Sequence, residues 1–165
     1  MSDAAPTISL RPAVPEDQPL LYRVYAGTRA AEMAQVDWTP EQKEAFVRMQ
    51  FTAQDSYYRE HYVNAAFLIV LADGVPVGRL YVARWPDQIR IMDVALLPEY
   101  CNRGIGSRLL RDLQAEAREA GKPLHLHVEQ FNPALRLYAR LGFRPIAERG
   151  VYFELEWSPE EQATG

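Results

Sequence analysis

One stretch constrains this chain more than any other: Asp93-Val94-Ala95-Leu96-Leu97-Pro98-Glu99-Tyr100-Cys101-Asn102-Arg103-Gly104-Ile105-Gly106-Ser107-Arg108-Leu109-Leu110. An apolar run rich in strand formers passes through a short turn and two glycines into an amphipathic helix. Such a junction is an anion site. The first amides of a helix lack partners inside it, the helix dipole favours negative charge there, and the missing Cβ atoms let a phosphate reach the main chain. Arg103 adds a fixed positive charge beside the loop.

Spacing narrows the kind of phosphate loop. A dinucleotide fingerprint needs a further small residue where this chain has Leu109. A Walker loop needs Gly-Lys followed by Ser or Thr, and the chain contains none. About thirty residues on stands a second run, Asn132-Pro133-Ala134-Leu135-Arg136-Leu137-Tyr138-Ala139-Arg140-Leu141-Gly142-Phe143. It is an Asn, then an apolar helix carrying Tyr, then Leu-Gly-Phe entering a strand.

The two runs together resemble the signatures of the Gcn5-related N-acetyltransferase (GNAT) superfamily over residues 66 to 156. The resemblance implies a mixed α/β fold, with a mostly antiparallel central sheet flanked by helices. It also implies acetyl-CoA lying in a V-shaped gap between central strands, attacked directly by a primary amine of a small molecule or peptide. Acetyl-CoA is then a cosubstrate, and no metal is implied. Cys101 departs from the pattern, because the superfamily normally has Gln or Arg there; Arg103 is left to take over as the side-chain donor.

The resemblance assigns roles residue by residue. Val94, Leu96 and Leu97 would offer backbone groups to the pantetheine arm, with the Leu96 or Leu97 N–H polarising the thioester carbonyl. Cys101, Asn102, Arg103, Gly104, Ile105, Gly106 and Ser107 would hold the pyrophosphate, and Asn132 would sit near the pantetheine or simply cap its helix. Tyr138 is the candidate general acid: a phenol stays protonated at neutral pH and can give its proton to a departing thiolate. Its apolar neighbours Leu137 and Leu141 also suit a tyrosine that merely packs. For the proton acceptor, Glu32 and Asp93 stand beside Glu129, His125 and His127 as candidates. A metal triad of His125, His127 and Glu129 is awkward, because alternate strand residues stand roughly 7 Å apart. A thiol enzyme built on Cys101 would need a lowered thiol pKa, and direct acetyl transfer needs no such intermediate.

The rest of the 165 residues suits one domain over residues 7–157, between a disordered start at 1–6 and a tail at 158–165. A formal net charge of −4 argues against a nucleic-acid-coating surface. The longest apolar run, Ala65 to Ala72, is too short for a bilayer, the start lacks a signal-peptide pattern, and one cysteine forms no internal disulfide. A cytoplasmic location is the expectation.

In chain order, the pattern predicts a strand over Thr7–Arg11, then a helix from Pro15 burying Leu20, Leu21, Val24 and Tyr25 and interrupted at Gly27. Thr39, Pro40 and Gln42 form a capped start for a helix to about His61 that buries Phe46, Met49, Ala53 and Tyr57. A hairpin turns at Asp73-Gly74, and a strand over Ile89–Leu97 leads into the loop. Ile105, Leu109, Leu113 and Ala117 stripe a helix that stops at Gly121, a strand alternates through Leu124, Leu126 and Val128, and Asn132 and Pro133 start the second-signature helix. The last hairpin turns at Arg149-Gly150, and an exposed edge at Val151–Trp157 could pair across a homodimer. Residues Gly27 to Tyr62 and this hairpin would form the acceptor wall, with Trp38, Tyr57, Tyr58 and Trp85 as aromatic candidates. Two other classes stay open: a regulatory module that binds acyl-CoA without turnover, and an interaction domain with no nucleotide site.

Overall fold

The computed structural model describes residues 5–159, so positions 1–4 of the expected disordered start and 160–165 of the expected tail lie outside the described residues. Seven strands follow the order β1-β2-β3-β4-β5-β7-β6: β1 (Ile8–Pro12), β2 (Ala66–Ala72), β3 (Val75–Arg84), β4 (Ile89–Leu96), β5 (Leu124–Glu129), β6 (Arg144–Arg149) and β7 (Tyr152–Trp157). Four helices accompany them: α1 (Gln18–Met33), α2 (Pro40–His61), α3 (Ile105–Ala120) and α4 (Leu135–Arg140). β1–β2, β5–β7 and β6–β7 pair antiparallel and β4–β5 pair parallel, which is the mixed sheet the sequence implied. No helix among the described residues is long and apolar enough to cross a membrane.

The chain divides into two compact units, Met1–Leu80 with Val94–Cys101, and Tyr81–Asp93 with Asn102–Gly165. In the first, α1 buries Leu20, Leu21, Val24 and Tyr25 as its periodicity predicts. Its Tyr22 and Tyr25 rings meet Phe51 of α2 at 5.7 and 5.9 Å between centroids. Gly27 does not interrupt α1. The helix runs through it because the Pro98 ring packs there, and a Cβ would stand 2.9 Å from that ring. The close approach accounts for a residue that costs about 1 kcal/mol against Ala in a helix.

α2 starts and ends where its sequence says, but its inward face is turned. Val47 and Phe51 are buried, whereas Met49 and Tyr57 are 61% and 52% exposed and Ala53 is exposed as well. Phe46 is half-buried, edge-on to Trp38 at 5.2 Å. Two adjoining stripes of α2 are apolar, and the contact of Phe51 with α1 selects the one that turns inward.

In the second unit α3 presents Ile105, Leu109, Leu113 and Ala117 to the core, with Leu110 beside them. Each leucine so buried contributes on the order of 2 kcal/mol. Gln114 reaches from α3 to the Leu141 carbonyl at 2.7 Å and fixes the end of α4. The helix stops at Gly121, where φ is +67° and the Lys122 N–H donates to the Ala117 carbonyl. β5 alternates as expected, with Leu124, Leu126 and Val128 buried.

The last hairpin forms, but β7 lies between β5 and β6. The expected exposed edge at Val151–Trp157 is therefore an interior strand, and the premise for pairing a homodimer through it falls. β6 is the edge at this end of the sheet, as β1 is at the other, and it carries a register shift between Pro145 and Ala147.

Candidate active site

The parallel ladder between β4 and β5 is short. It covers Ile89–Leu124, Arg90–His125 and Ile91–Leu126 and ends there, although β5 continues to Glu129 paired on its other side with β7. β4 itself is irregular beyond that point. Ile89 donates its N–H to the Pro123 carbonyl on the β5 side, while Leu97, an even number of positions along, donates to the Val77 carbonyl of β3 at 2.8 Å. A regular strand sends such amides to the same side, so β4 switches sides between them, as a bulge does. Gly78 of β3 accommodates this, since a methyl there would overlap the Ala95 carbonyl oxygen.

This geometry corrects one expectation. The Leu97 N–H is already bonded to Val77, and the side chain is buried, so of the two candidate donors to a thioester oxygen only the Leu96 amide is left. Val94 and Leu96 are half-buried on the same stretch.

Residues 101–107 form the loop the sequence singled out. Asn102 and Gly104 adopt left-handed φ of +61° and +83°, and Gly104 is the residue at the helix cap. No side chain caps α3. Among the described residues the amides of Gly104, Ile105, Gly106 and Ser107 donate no hydrogen bond; the first bond of the helix runs from Arg108 to the Gly104 carbonyl at 3.1 Å. The Ile105 side chain is in the core, whereas Arg103 and Gly104 are exposed and Gly106 and Ser107 are half-buried. An added Cβ at Gly106 would meet only Leu137 at 3.7 Å, so nothing inside the protein requires glycine there.

Cys101 does not have the lowered pKa a thiol enzyme needs. Its Sγ donates to the carbonyls of Leu96 and Leu97 at 3.8 and 3.6 Å, and desolvation, followed by the charge of Glu99, pushes the thiol up.

Tyr138 lies on α4 with its ring buried, 7% exposed, and edge-on to Phe143 at 5.8 Å. Its hydroxyl has no hydrogen-bond partner among the described residues and is not one of the buried polar atoms, so it opens to solvent. Burial, and secondly the negative charge of Asp93, push the phenol up to about 12. It is thus firmly protonated at neutral pH, and a weaker acid than the sequence alone suggested. Asp93 is the one candidate carboxylate tied electrostatically to Tyr138. Glu32 lies at the exposed end of α1, bound to Arg29 at 2.9 Å.

Asn132 does not cap α4: the helix begins at Leu135 with Ala134 at its cap and no side-chain cap bond, and Asn132 Oδ1 instead accepts the Ala134 N–H at 2.8 Å in the turn before it. Of the aromatic candidates, Tyr57 stacks on His61 and Trp85 lies under the Arg90 guanidinium at 5.7 Å. Among the described residues no three metal-ligating side chains stand close enough to share an ion.

Sequence reading missed a charged lattice on the polar face of β4, β5 and β7. Glu154 is 7% exposed and lies 3.1 Å from both Arg90 and Arg149, with His127 at 3.8 Å, while His125 pairs with Glu156 at 2.8 Å. Burial would raise the Glu154 carboxyl, yet its hydrogen bonds to the two arginines hold it below the usual carboxylate range. The alternation of β7 carried the signal. Only the register His127↔Glu154 and His125↔Glu156 turns it into pairs.

The acetyltransferase (GNAT) family model matches residues 29–143. A ribosomal protein bS18-alanine N-acetyltransferase of Haemophilus influenzae is 28% identical over 114 residues, covering 68% of this chain and 76% of the relative. The N-alpha-acetyltransferase RimI of Mycobacterium tuberculosis is 34% identical over 100 residues, 58% of this chain and 59% of that protein. In fold, the chain is similar to the PaiA N-acetyltransferase of Thermoplasma acidophilum solved in complex with coenzyme A, with a TM-score of 0.70 and 21% identity over 92% of this chain and 99% of the other. A helix start whose amides have no partner among the described residues, after a left-handed glycine, and a family match over most of the sequence agree on one conclusion: the chain belongs to the GNAT family of acetyltransferases, which move an acetyl group from acetyl-CoA to an amine.

Proposed function

We propose that the chain acetylates the α-amino group of a peptide or protein N-terminus, by direct attack of the amine on acetyl-CoA. The pyrophosphate of the cosubstrate takes the amides of Gly104 to Ser107, with Arg103 and the Asn102 turn beside it, and Cys101 contributes position rather than charge. The observation that carries this reading is that these four amides donate no bond among the described residues. Leu96 supplies the N–H for the thioester oxygen, and Val94 backbone groups accompany the pantetheine arm. Asn132 stays with the turn before α4 and Tyr138 protonates the leaving thiolate. A free coenzyme thiol has a pKa near that of cysteine, about 8.5, so Tyr138 gives its proton late, as sulfur charge develops. The peptide acceptor is supported by the relatives, one named as a ribosomal protein bS18-alanine N-acetyltransferase and the other as an N-alpha-acetyltransferase.

The test is coenzyme A binding by calorimetry, together with acetyl transfer to a peptide beginning with alanine and to a panel of small amines. Binding with transfer to the peptide is the expected result. Binding with no transfer to any amine identifies a regulatory acyl-CoA module instead, and no binding removes the site.

A further inference from the structure

We infer that Arg136 and Arg140 of α4 hold the 3′-phosphate on the ribose of coenzyme A, so that the site prefers coenzyme A over its 3′-dephospho form. This rests on the cosubstrate site of the acetyl-transfer reading and adds a subsite to it.

The placement starts from the helix whose first amides are open. α4 leans on that same first turn: a Cβ at Gly106 would stand 3.7 Å from the Leu137 side chain, and two turns further along α3 Gln114 donates to the Leu141 carbonyl at 2.7 Å. Arg136 and Arg140 each stand one position before these two contact residues. A helix turns about 100° per residue, so both side chains leave α4 on one flank of the contact, while Tyr138, on the other flank, is the one that is buried. Both arginines are exposed, one turn apart, and neither has a partner among the described residues.

Charge singles the pair out. Positions 130–147 contain Arg136, Arg140 and Arg144 and no Asp or Glu, in a chain whose formal net charge is −4. On α3, by contrast, Arg108 is matched with Asp112 at 3.2 Å and Arg118 lies over the Trp157 ring at 5.3 Å. Two like charges four residues apart weaken a helix, and an anion between them turns that repulsion into attraction.

The cosubstrate brings such an anion. The amides of Gly104 to Ser107 account for its diphosphate. Coenzyme A also carries a phosphate monoester on the ribose joined to that diphosphate, and a monoester is close to a dianion at neutral pH. With the diphosphate on the first turn of α3, the monoester is tethered beside it, and the arginine pair on the adjoining helix supplies both the charge and the planar forks that bind phosphate through two hydrogen bonds. The subsite lies away from the thioester, so it selects the carrier and takes no part in the chemistry.

The experiment is calorimetry with coenzyme A and with 3′-dephospho-coenzyme A, at low and moderate salt. It uses the wild type, Arg136→Gln, Arg140→Gln, the double Gln variant and the double Lys variant. The wild type is expected to bind coenzyme A about thirtyfold more tightly than the dephospho form, each single Gln variant to lose several-fold of that preference, and the double Gln variant to bring the two ligands within about twofold. The double Lys variant should keep part of the preference, since it retains the charge without the fork, and the wild-type preference should shrink as salt rises. Melting curves should be unchanged, because exposed side chains without partners are replaced. A wild type that binds the two ligands equally, or a folded double Gln variant that keeps the full preference, overturns the assignment and leaves the acetyl-transfer reading standing. A wild type that binds neither ligand removes the α3 site and both readings with it.

Discussion

Two helices of this chain begin in opposite ways. α2 starts on a reciprocal cap: Gln42 N–H donates to Thr39 Oγ1 at 3.1 Å, Thr39 N–H donates to Gln42 Oε1 at 3.0 Å, and Pro40 in the first turn has no N–H to satisfy. α3 has no side-chain cap, and its first amides find no partner among the described residues. Both leave the same orphan donors in principle. α2 satisfies its donors from its own sequence and so gains stability alone, whereas α3, among the described residues, leaves its first amides unpaired. The contrast teaches that a missing cap, next to a left-handed glycine, is informative where a complete cap is not.

The strongest way to break that contrast is Gly106→Asp. A carboxylate in the first turn favours the helix dipole by up to about 1 kcal/mol, so thermal stability should hold or rise. The same charge on the pyrophosphate site should weaken coenzyme A binding about a hundredfold, roughly 2.7 kcal/mol. Calorimetry and a melting curve on one sample read both signs, and unchanged affinity would mean that the α3 start is not the phosphate site.

Tyr138→Phe separates binding from chemistry. Turnover should fall at least about tenfold with coenzyme A affinity unchanged, because the hydroxyl has no bond inside the protein to lose. Unchanged turnover would return Tyr138 to the packing role its neighbours suggest.

The converse substitution is Thr39→Ala in α2. It should cost about 1 kcal/mol, or roughly 2–4 °C in melting temperature, and leave coenzyme A affinity alone. A change in affinity would show that α2's cap also serves the site.

The smallest effect concerns the thiol just before the open helix. Cys101 should react with an alkylating reagent more slowly than a free thiol at pH 8, because its pKa is raised and less of it is thiolate. Its rate should climb as pH passes the ordinary thiol value and fall a few-fold with acetyl-CoA. A rate that is flat across that pH range, or indifferent to acetyl-CoA, would place Cys101 away from the loop.

Much of this architecture was legible in the sequence because local patterns report it directly: the Asp-Gly pair marks the hairpin at 73–74, helical spacing marks the α3 stripe, and alternation marks the strand from Leu124. Where two patterns competed, periodicity could not choose: on α2 the stripes through Met49 and through Phe51 are both apolar, and only the tyrosines of α1 decide. The candidate site was legible as a loop and not as a set of donors. That the Leu97 amide is taken by Val77 depends on a change of side within β4, which no side-chain pattern encodes. The Glu154 lattice was hidden for a related reason. Its members are spread from Arg90 to Glu156, and only strand register brings them together.

The edge strand β6 carries one more consequence. Proline at position 145 offers no amide, and the register shift beside it twists the strand away from flatness. A second molecule arriving there finds a broken template, so this edge resists the edge-to-edge stacking by which exposed strands seed fibrils. At this end of the sheet a second copy of the chain is thereby discouraged from adding itself as one more strand.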